Sequence, residues 1–231
     1  MTRLKPAEPI NGDFNRTALQ SGNAAGPSAD LRMLMYSHDT FGLGHLQRCL
    51  KLSRALTAAM PDLSILIVTG SSVVHRFELP ARVDYVKLPA VRKIGPERYE
   101  ARSLNTPYES IAALRRTLLL TTVQQFQPHI ALVDHSPAGM KGEMLPALEW
   151  LGTGSRRCVR ILGLRDIIDD PIAVKALWEE QRTYELLEKH YDPLYQRSQD
   201  KNYRYADATV FAADDLGADS IEAVARKIRA A

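Results

Sequence analysis

An apolar run, Leu31-Arg-Met-Leu-Met-Tyr36, passes straight into Ser37-His-Asp-Thr-Phe-Gly-Leu-Gly-His-Leu-Gln-Arg48 and then into Cys49-Leu-Lys-Leu-Ser-Arg-Ala-Leu56. Read in order, this predicts a buried strand, a loop carrying Gly42 and Gly44, and an amphipathic helix. A strand feeding a helix through a short glycine loop is the opening unit of an α/β fold. Glycine lets the loop turn tightly and lets its backbone approach a ligand without a Cβ in the way. The loop meets the helix at its N-terminus, where exposed N–H groups and the macrodipole favour negative charge. It also carries an imidazole, His45, and a guanidinium, Arg48, one helical turn apart. In an open α/β sheet, ligands bind beyond the carboxyl ends of the strands, where this loop lies.

Neither of the commonest phosphate loops is present. A P-loop requires Gly-x-x-x-x-Gly-Lys-Ser/Thr, which the chain lacks. The dinucleotide fingerprint needs a third small residue, but Gly42-Leu-Gly44-His-Leu is followed by Gln47, too large for close helix–strand packing. The alternative for the segment is a plain strand-to-helix turn. His45 and Arg48 at fixed spacing after a first strand favour a binding or catalytic loop.

The rest of the chain alternates in the same way. Leu63–Thr69 is a near-continuous apolar strand, the pattern of a parallel sheet covered by helices on both faces. Val83–Pro89 reads as a third strand, Pro128–Asp134 as a fourth and Val159–Leu164 as a fifth. Residues 108–127, with Ile111, Leu114, Leu118 and Val123 as the apolar stripe, read as a long amphipathic helix, and Gly142–Leu151 as another. The expected fold class is α/β, a Rossmann-like doubly wound parallel sheet. Gly95–Pro107 has no regular periodicity and reads as a long loop of the kind that serves as a lid or clamp.

Composition agrees with a globular core: 231 residues, 45% hydrophobic, 25% charged and 7% aromatic. At about 100–200 residues per domain, this is one α/β domain with extensions. Residues 1–30 are polar and rich in turn-forming residues and read as a disordered tail, without the apolar core of a secretory signal. The formal charge of +3 gives no support for nucleic-acid binding. Cys49 and Cys158 lie in apolar periodic segments, without metal-ligand spacing. They read as core thiols of a cytoplasmic protein, so neither a metal nor another cofactor is expected.

Gly42-x-Gly44-His45-x-x-Arg48-Cys-Leu resembles the first loop of GT-B glycosyltransferases and of related sugar-nucleotide hydrolases. Within that group the chain is similar to predicted bacterial glycosyltransferases akin to the enzyme that adds N-acetylglucosamine to the lipid-linked peptidoglycan precursor. Tyr85-Val-Lys-Leu-Pro89, Pro128–Asp134, Pro137-x-Gly139-x-x-x-Glu143 and Gly163-Leu-Arg-Asp-Ile-Ile-Asp169 fit the same group. The resemblance covers residues 31–191. It implies the N-terminal, acceptor-side half of a GT-B fold and a hexosyltransferase activity. The implied partners are a nucleotide-sugar donor and a sugar or lipid-linked acceptor. In that family the donor is held mainly by a second, C-terminal domain, so the resemblance implies a partner chain or a further domain that supplies it. Residues 192–231 depart from the pattern and read as a divergent strand–helix extension, faintly like the end of a small P-loop kinase.

His45 is the expected catalytic residue, since a neutral imidazole suits a base acting on an acceptor hydroxyl or amine. Its N–H binding a phosphate oxygen is the other role open to it. Gly42, Gly44, Arg48, His38, Asp134, His135, Arg165 and Asp166 are the expected substrate-binding residues; Asp134 and His135 end the fourth strand and Arg165 and Asp166 the fifth, on the same rim as the loop that carries the others. Asp134 or Asp166 would orient a hydroxyl or an imidazole; helix capping is the alternative for each. His129, at a strand start, belongs to the opposite rim and reads as structural. Arg92, Lys93, Arg98, Arg102, Arg115 and Arg116 read as a solvated charged face, or as a surface for a lipid-linked phosphate or peripheral membrane contact. Two other function classes stay open at this stage, a non-catalytic anionic glycan- or nucleotide-binding domain and a sugar-nucleotide hydrolase.

Overall fold

The structure is a computed structural model that describes residues 30–38, 43–95, 98–154, 157–163 and 171–191. Gly42, Arg165 and Asp166, the N-terminal tail and the 192–231 extension lie outside the described residues.

Five strands form one parallel sheet: β1 (Leu31–Ser37), β2 (Leu63–Thr69), β3 (Val83–Lys87), β6 (Ile130–Asp134) and β7 (Val159–Gly163), in the spatial order β3-β2-β1-β6-β7. The strand order runs outward from β1 in one direction and then restarts on its other side with β6. The gap between β1 and β6 is therefore the topological switch point, where open α/β sheets form their ligand crevice.

Alternation along the strands divides the core in two. Met33 and Met35 of β1, Ile65 and Ile67 of β2, and Ile130 and Leu132 of β6 face helix α1 (Gly44–Ala59), which contributes Leu46, Cys49, Leu50 and Leu56. Leu34, Tyr36, Ala131 and Val133 face the other way. They meet α2 (Tyr108–Phe126), α3 (Leu145–Thr153), α4 (Pro171–Glu180) and α5 (Thr183–His190) through Leu119, Val123, Leu148, Trp178 and Leu187. Helices on both faces of a parallel sheet make this an α/β, doubly wound, Rossmann-like domain.

Several boundaries and one whole motif differ from the sequence expectation. Residues 95–107 do not form a simple long loop. Val91–Gly95 (β4) and Arg98–Ala101 (β5) pair as an antiparallel hairpin. Val91, Tyr99 and Ala101 share a small apolar cluster with Tyr108, Ile111 and Met140, and this burial holds a polar, charge-rich segment in strand form. The stripe on α2 is Ile111, Arg115, Leu119 and Val123, one residue round from the expected one at its centre, and Leu114 is exposed. Helix α3 begins at Leu145, after a turn of 3₁₀ helix at Met140–Gly142. Helix α2 stops where Gln127 turns left-handed (φ 48°), just before Pro128. No helix among the described residues is long and apolar enough to cross a membrane.

Candidate functional site

The strand parity that buries Ile130 and Leu132 against α1 places Asp134, two residues on, beneath the first turns of the same helix. His45 and Arg48 lie three residues apart on α1, one turn from each other, and both reach it. The His45 Nδ1 is 2.6 Å from Asp134 Oδ2, and Arg48 Nη1 donates to Asp134 Oδ1 at 2.6 Å. The Asp134 side chain is 2% exposed and that of Arg48 is 9% exposed, whereas His45 keeps 15% of its side chain at the surface. A buried carboxylate needs paired charge and hydrogen bonds, and these two contacts supply both. The Asp134 carboxylate is thus engaged by His45 and Arg48, and the residue preceding α3 is Met144, with no side-chain cap.

Two further imidazoles complete a cluster. His38 follows β1 directly and His135 follows β6 directly. Ring centroids lie 5.6 Å apart for His38–His45, 6.0 Å for His38–His135 and 5.2 Å for His45–His135. Burial, reinforced by the neighbouring His45 and His135, holds the His38 imidazole down to about 4. His38 is therefore neutral at physiological pH. His135 has a left-handed backbone (φ 68°), and its N–H donates to the Gly163 carbonyl at 2.7 Å. A non-glycine residue held left-handed at a strand end is the kind of local strain that gathers at ligand sites. Gly44, the first residue of α1, is exposed, and a Cβ there would meet nothing within 4 Å.

A second buried polar network lies under the same rim on the opposite face of the sheet. Arg115 of α2 grips Glu143 with two nitrogens, Nε to Oε2 at 2.7 Å and Nη2 to Oε1 at 2.6 Å. Its third nitrogen, Nη1, donates to the Pro89 carbonyl at 2.7 Å. Tyr36 donates its hydroxyl to Glu143 at 2.7 Å and accepts from the Met140 N–H at 3.0 Å. Burial and the adjacent Glu143 carboxylate raise the Tyr36 hydroxyl well above its ordinary range, so it remains a donor. Arg115 is therefore no member of a solvated face, since it is 2% exposed. The sequence signal that marks it is its position in the i, i+4 row with Ile111 and Leu119, where an exposed arginine does not belong.

Other candidates are placed as follows. His129 accepts from the Arg32 N–H through Nδ1 at 3.0 Å, tying the start of β6 to β1 on the rim away from the cluster. Cys49 and Cys158 are both buried. Arg92 pairs with Glu100 across the hairpin. Among the described residues no group of histidine, cysteine and acidic side chains is arranged to hold a metal ion.

No protein-family model and no curated protein matches the chain. Solved structures that resemble it do so at low identity. A glycotransferase of kitacinnamycin is 13% identical with a TM-score of 0.36, over 93% of this chain and 38% of that one. A protein assigned as a UDP-N-acetylglucosamine 2-epimerase, from Listeria monocytogenes, is 12% identical with a TM-score of 0.43, over 80% and 45%. The Medicago truncatula protein UGT71G1, in complex with UDP-glucose, is 13% identical with a TM-score of 0.36, over 79% and 37%. The chain spans less than half the length of each of these structures.

Proposed function

We propose that the chain is the acceptor-side half of a GT-B-like glycosyltransferase, with His45 as the base that activates the acceptor. The observation that carries this reading is the contact between His45 Nδ1 and the buried Asp134 carboxylate at the switch point of the sheet. An acidic partner on Nδ1 holds the proton there and leaves Nε2 as the basic nitrogen. As the imidazole takes a proton from an acceptor hydroxyl or amine, the carboxylate stabilises the imidazolium that forms. Arg48 holds that carboxylate in place through its own hydrogen bond to Oδ1.

The proton path is balanced within the dyad. The acceptor oxygen or nitrogen loses its proton to Nε2 and forms the new bond to the sugar's anomeric carbon. The bond from that carbon to the donor's diphosphate breaks, and the diphosphate leaves with the electron pair. In this reading the base and sugar of the nucleotide donor are gripped by a second domain, on a partner chain or in a longer protein. The acceptor approaches from the side of the β4–β5 hairpin, whose Arg98 and Lys93 suit a lipid-linked phosphate or peripheral contact with an anionic membrane surface.

The test is release of nucleoside diphosphate from a panel of nucleotide sugars, with the donor-binding domain supplied. His45→Ala is expected to lower transfer by about 10²–10⁴-fold, the usual worth of a general base. Transfer by His45→Ala at the parent rate would overturn the assignment. Running the panel without acceptor separates transfer from hydrolysis of the sugar nucleotide.

A further inference from the structure

We infer that the β4–β5 hairpin is a flap whose docked and undocked states are closely balanced, and that the buried Tyr108 hydroxyl sets the balance by opposing docking. The hairpin is a sheet of its own, separate from the five-stranded one. Val91 is the one buried residue among those described in its strands. Tyr99 and Ala101 are half-buried, and Arg92, Lys93, Ile94 and Arg98 are exposed. Its apolar footing is accordingly Val91, Tyr99 and Ala101 against Ile111, Met140 and Tyr108. Residues 102–107, which lead from the hairpin into α2, are all exposed. At the base of the hairpin the Pro89 carbonyl is fixed by Arg115, and the Arg102 N–H donates to the Ala90 carbonyl at 2.9 Å. A firm hinge thus carries a lightly held pair of strands. A two-stranded hairpin alone is marginal in water, so undocking also releases its ladder.

Docking also carries a cost. Tyr108, the first residue of α2, stacks on Tyr99 of the hairpin, with ring centroids 5.9 Å apart and planes at 25°. In this position the Tyr108 hydroxyl is buried and has no hydrogen-bond partner among the described residues. The Glu143 carboxylate acts on it, but both of its oxygens are already engaged by Arg115 and Tyr36. Burial first, and Glu143 second, raise the phenol above its ordinary range, as befits a hydroxyl taken out of water. An unpaired buried donor forfeits its hydration for nothing in return, a loss comparable to the gain from one aromatic stack. Gain and loss therefore nearly offset at the Tyr99–Tyr108 contact. Lifting the hairpin uncovers Ile111, Met140 and the Tyr108 ring beside the Arg115–Glu143 pair. That an acceptor is what enters beneath the hairpin rests on the sugar-transfer reading; the balance itself does not.

Amide hydrogen exchange of the full chain, without ligand, tests the flap in the parent and in two variants. In the parent, amides of β4 and β5 are expected to exchange faster than those of β1 and β6, through an opening smaller than global unfolding. Tyr108→Phe keeps the ring and removes the hydroxyl, and it is expected to slow exchange in β4 and β5 by about tenfold. Tyr99→Ala removes the stack and is expected to speed exchange in the same strands by about tenfold. Exchange in β4 and β5 that is unchanged or faster in Tyr108→Phe would mean that the hydroxyl is no burden to the docked state, and would overturn the inference. So would parent exchange as slow in these strands as in β1 and β6, because the hairpin would then open only with the whole domain. The transfer assay is read separately, with the donor-binding domain supplied. Slowed exchange in Tyr108→Phe together with a parent that shows no transfer would sink the proposed function and leave the flap standing. Transfer by the parent, with exchange unaltered in Tyr108→Phe, would do the reverse.

Discussion

At the scale of single residues, Asp134 has two roles that mutation separates. It neutralises Arg48 inside the protein and it orients His45 at the edge of the crevice. Removing the carboxylate strands a guanidinium that is 9% exposed, so Asp134→Ala is expected to destabilise the fold by about 3–5 kcal/mol in denaturant unfolding. His45→Ala leaves the Arg48–Asp134 pair intact, and its stability is expected to fall by about 1–3 kcal/mol, less than for Asp134→Ala. A large loss of stability in His45→Ala would mark a packing residue instead of a functional one. His38 contributes a pH dependence of known sign. Its folded value of about 4 lies below the ordinary 6.5 of an unfolded chain, so the unfolded state binds the proton first as pH falls. Stability is therefore full above about pH 6.5 and declines toward pH 4, by about 3 kcal/mol in all from this one group. His38→Gln is expected to flatten that limb of a stability-versus-pH curve measured by urea unfolding.

At the scale of elements, the Arg115–Glu143 pair joins parts of the chain that share no local sequence signal. It connects α2 to the segment after β6, to the carbonyl of Pro89 beyond β3 and, through Tyr36, to β1. The fit is close at Gly70, at the end of β2, where an added Cβ would stand 2.7 Å from Arg115 Nη1. That nitrogen is the end of a long side chain, but its hydrogen bond to Pro89 and the bidentate grip on Glu143 leave it little freedom to yield. Gly70→Ala is expected to cost about 1–3 kcal/mol, as overpacking commonly does. Gly44→Ala, where the Cβ meets nothing, is expected to cost far less in the same denaturation assay. The hairpin β4–β5 depends on this arrangement too, because its apolar cluster is completed by Ile111 of α2 and by Met140.

At the scale of the whole molecule, the described residues form one parallel sheet with one switch point, and the histidine cluster lies at its carboxyl rim. A transfer enzyme must hold both an acceptor and a donor's diphosphate, base and sugar. On the proposed reading the described α/β unit supplies the catalytic dyad, while grip on the nucleotide donor comes from a second domain. Isothermal titration of this chain with a nucleotide sugar is expected to show weak binding, strengthened when that domain is added. Tight binding and steady turnover by this chain alone would show that it holds a complete donor site.

The strand–helix alternation, the start of α1 soon after β1 and the burial of both cysteines were legible in the sequence because each is local. A strand apolar on alternate and adjacent positions, or a helix with a stripe every three or four residues, records its surroundings within a few residues. The same locality places His38, His45, Asp134 and His135 on one rim of the sheet from the sequence alone. What sequence alone left open was which of these side chains meet. His45 and Asp134 are 89 residues apart, and only the placing of β6 beside β1, with its parity toward α1, brings them to 2.6 Å. The burial of Arg115 and the pairing of β4 with β5 were decided in the same way. A charged residue on a helix is ordinarily solvated, and a short polar segment is ordinarily a loop. Both expectations give way only when tertiary packing supplies a carboxylate for the one and an apolar neighbour for the other.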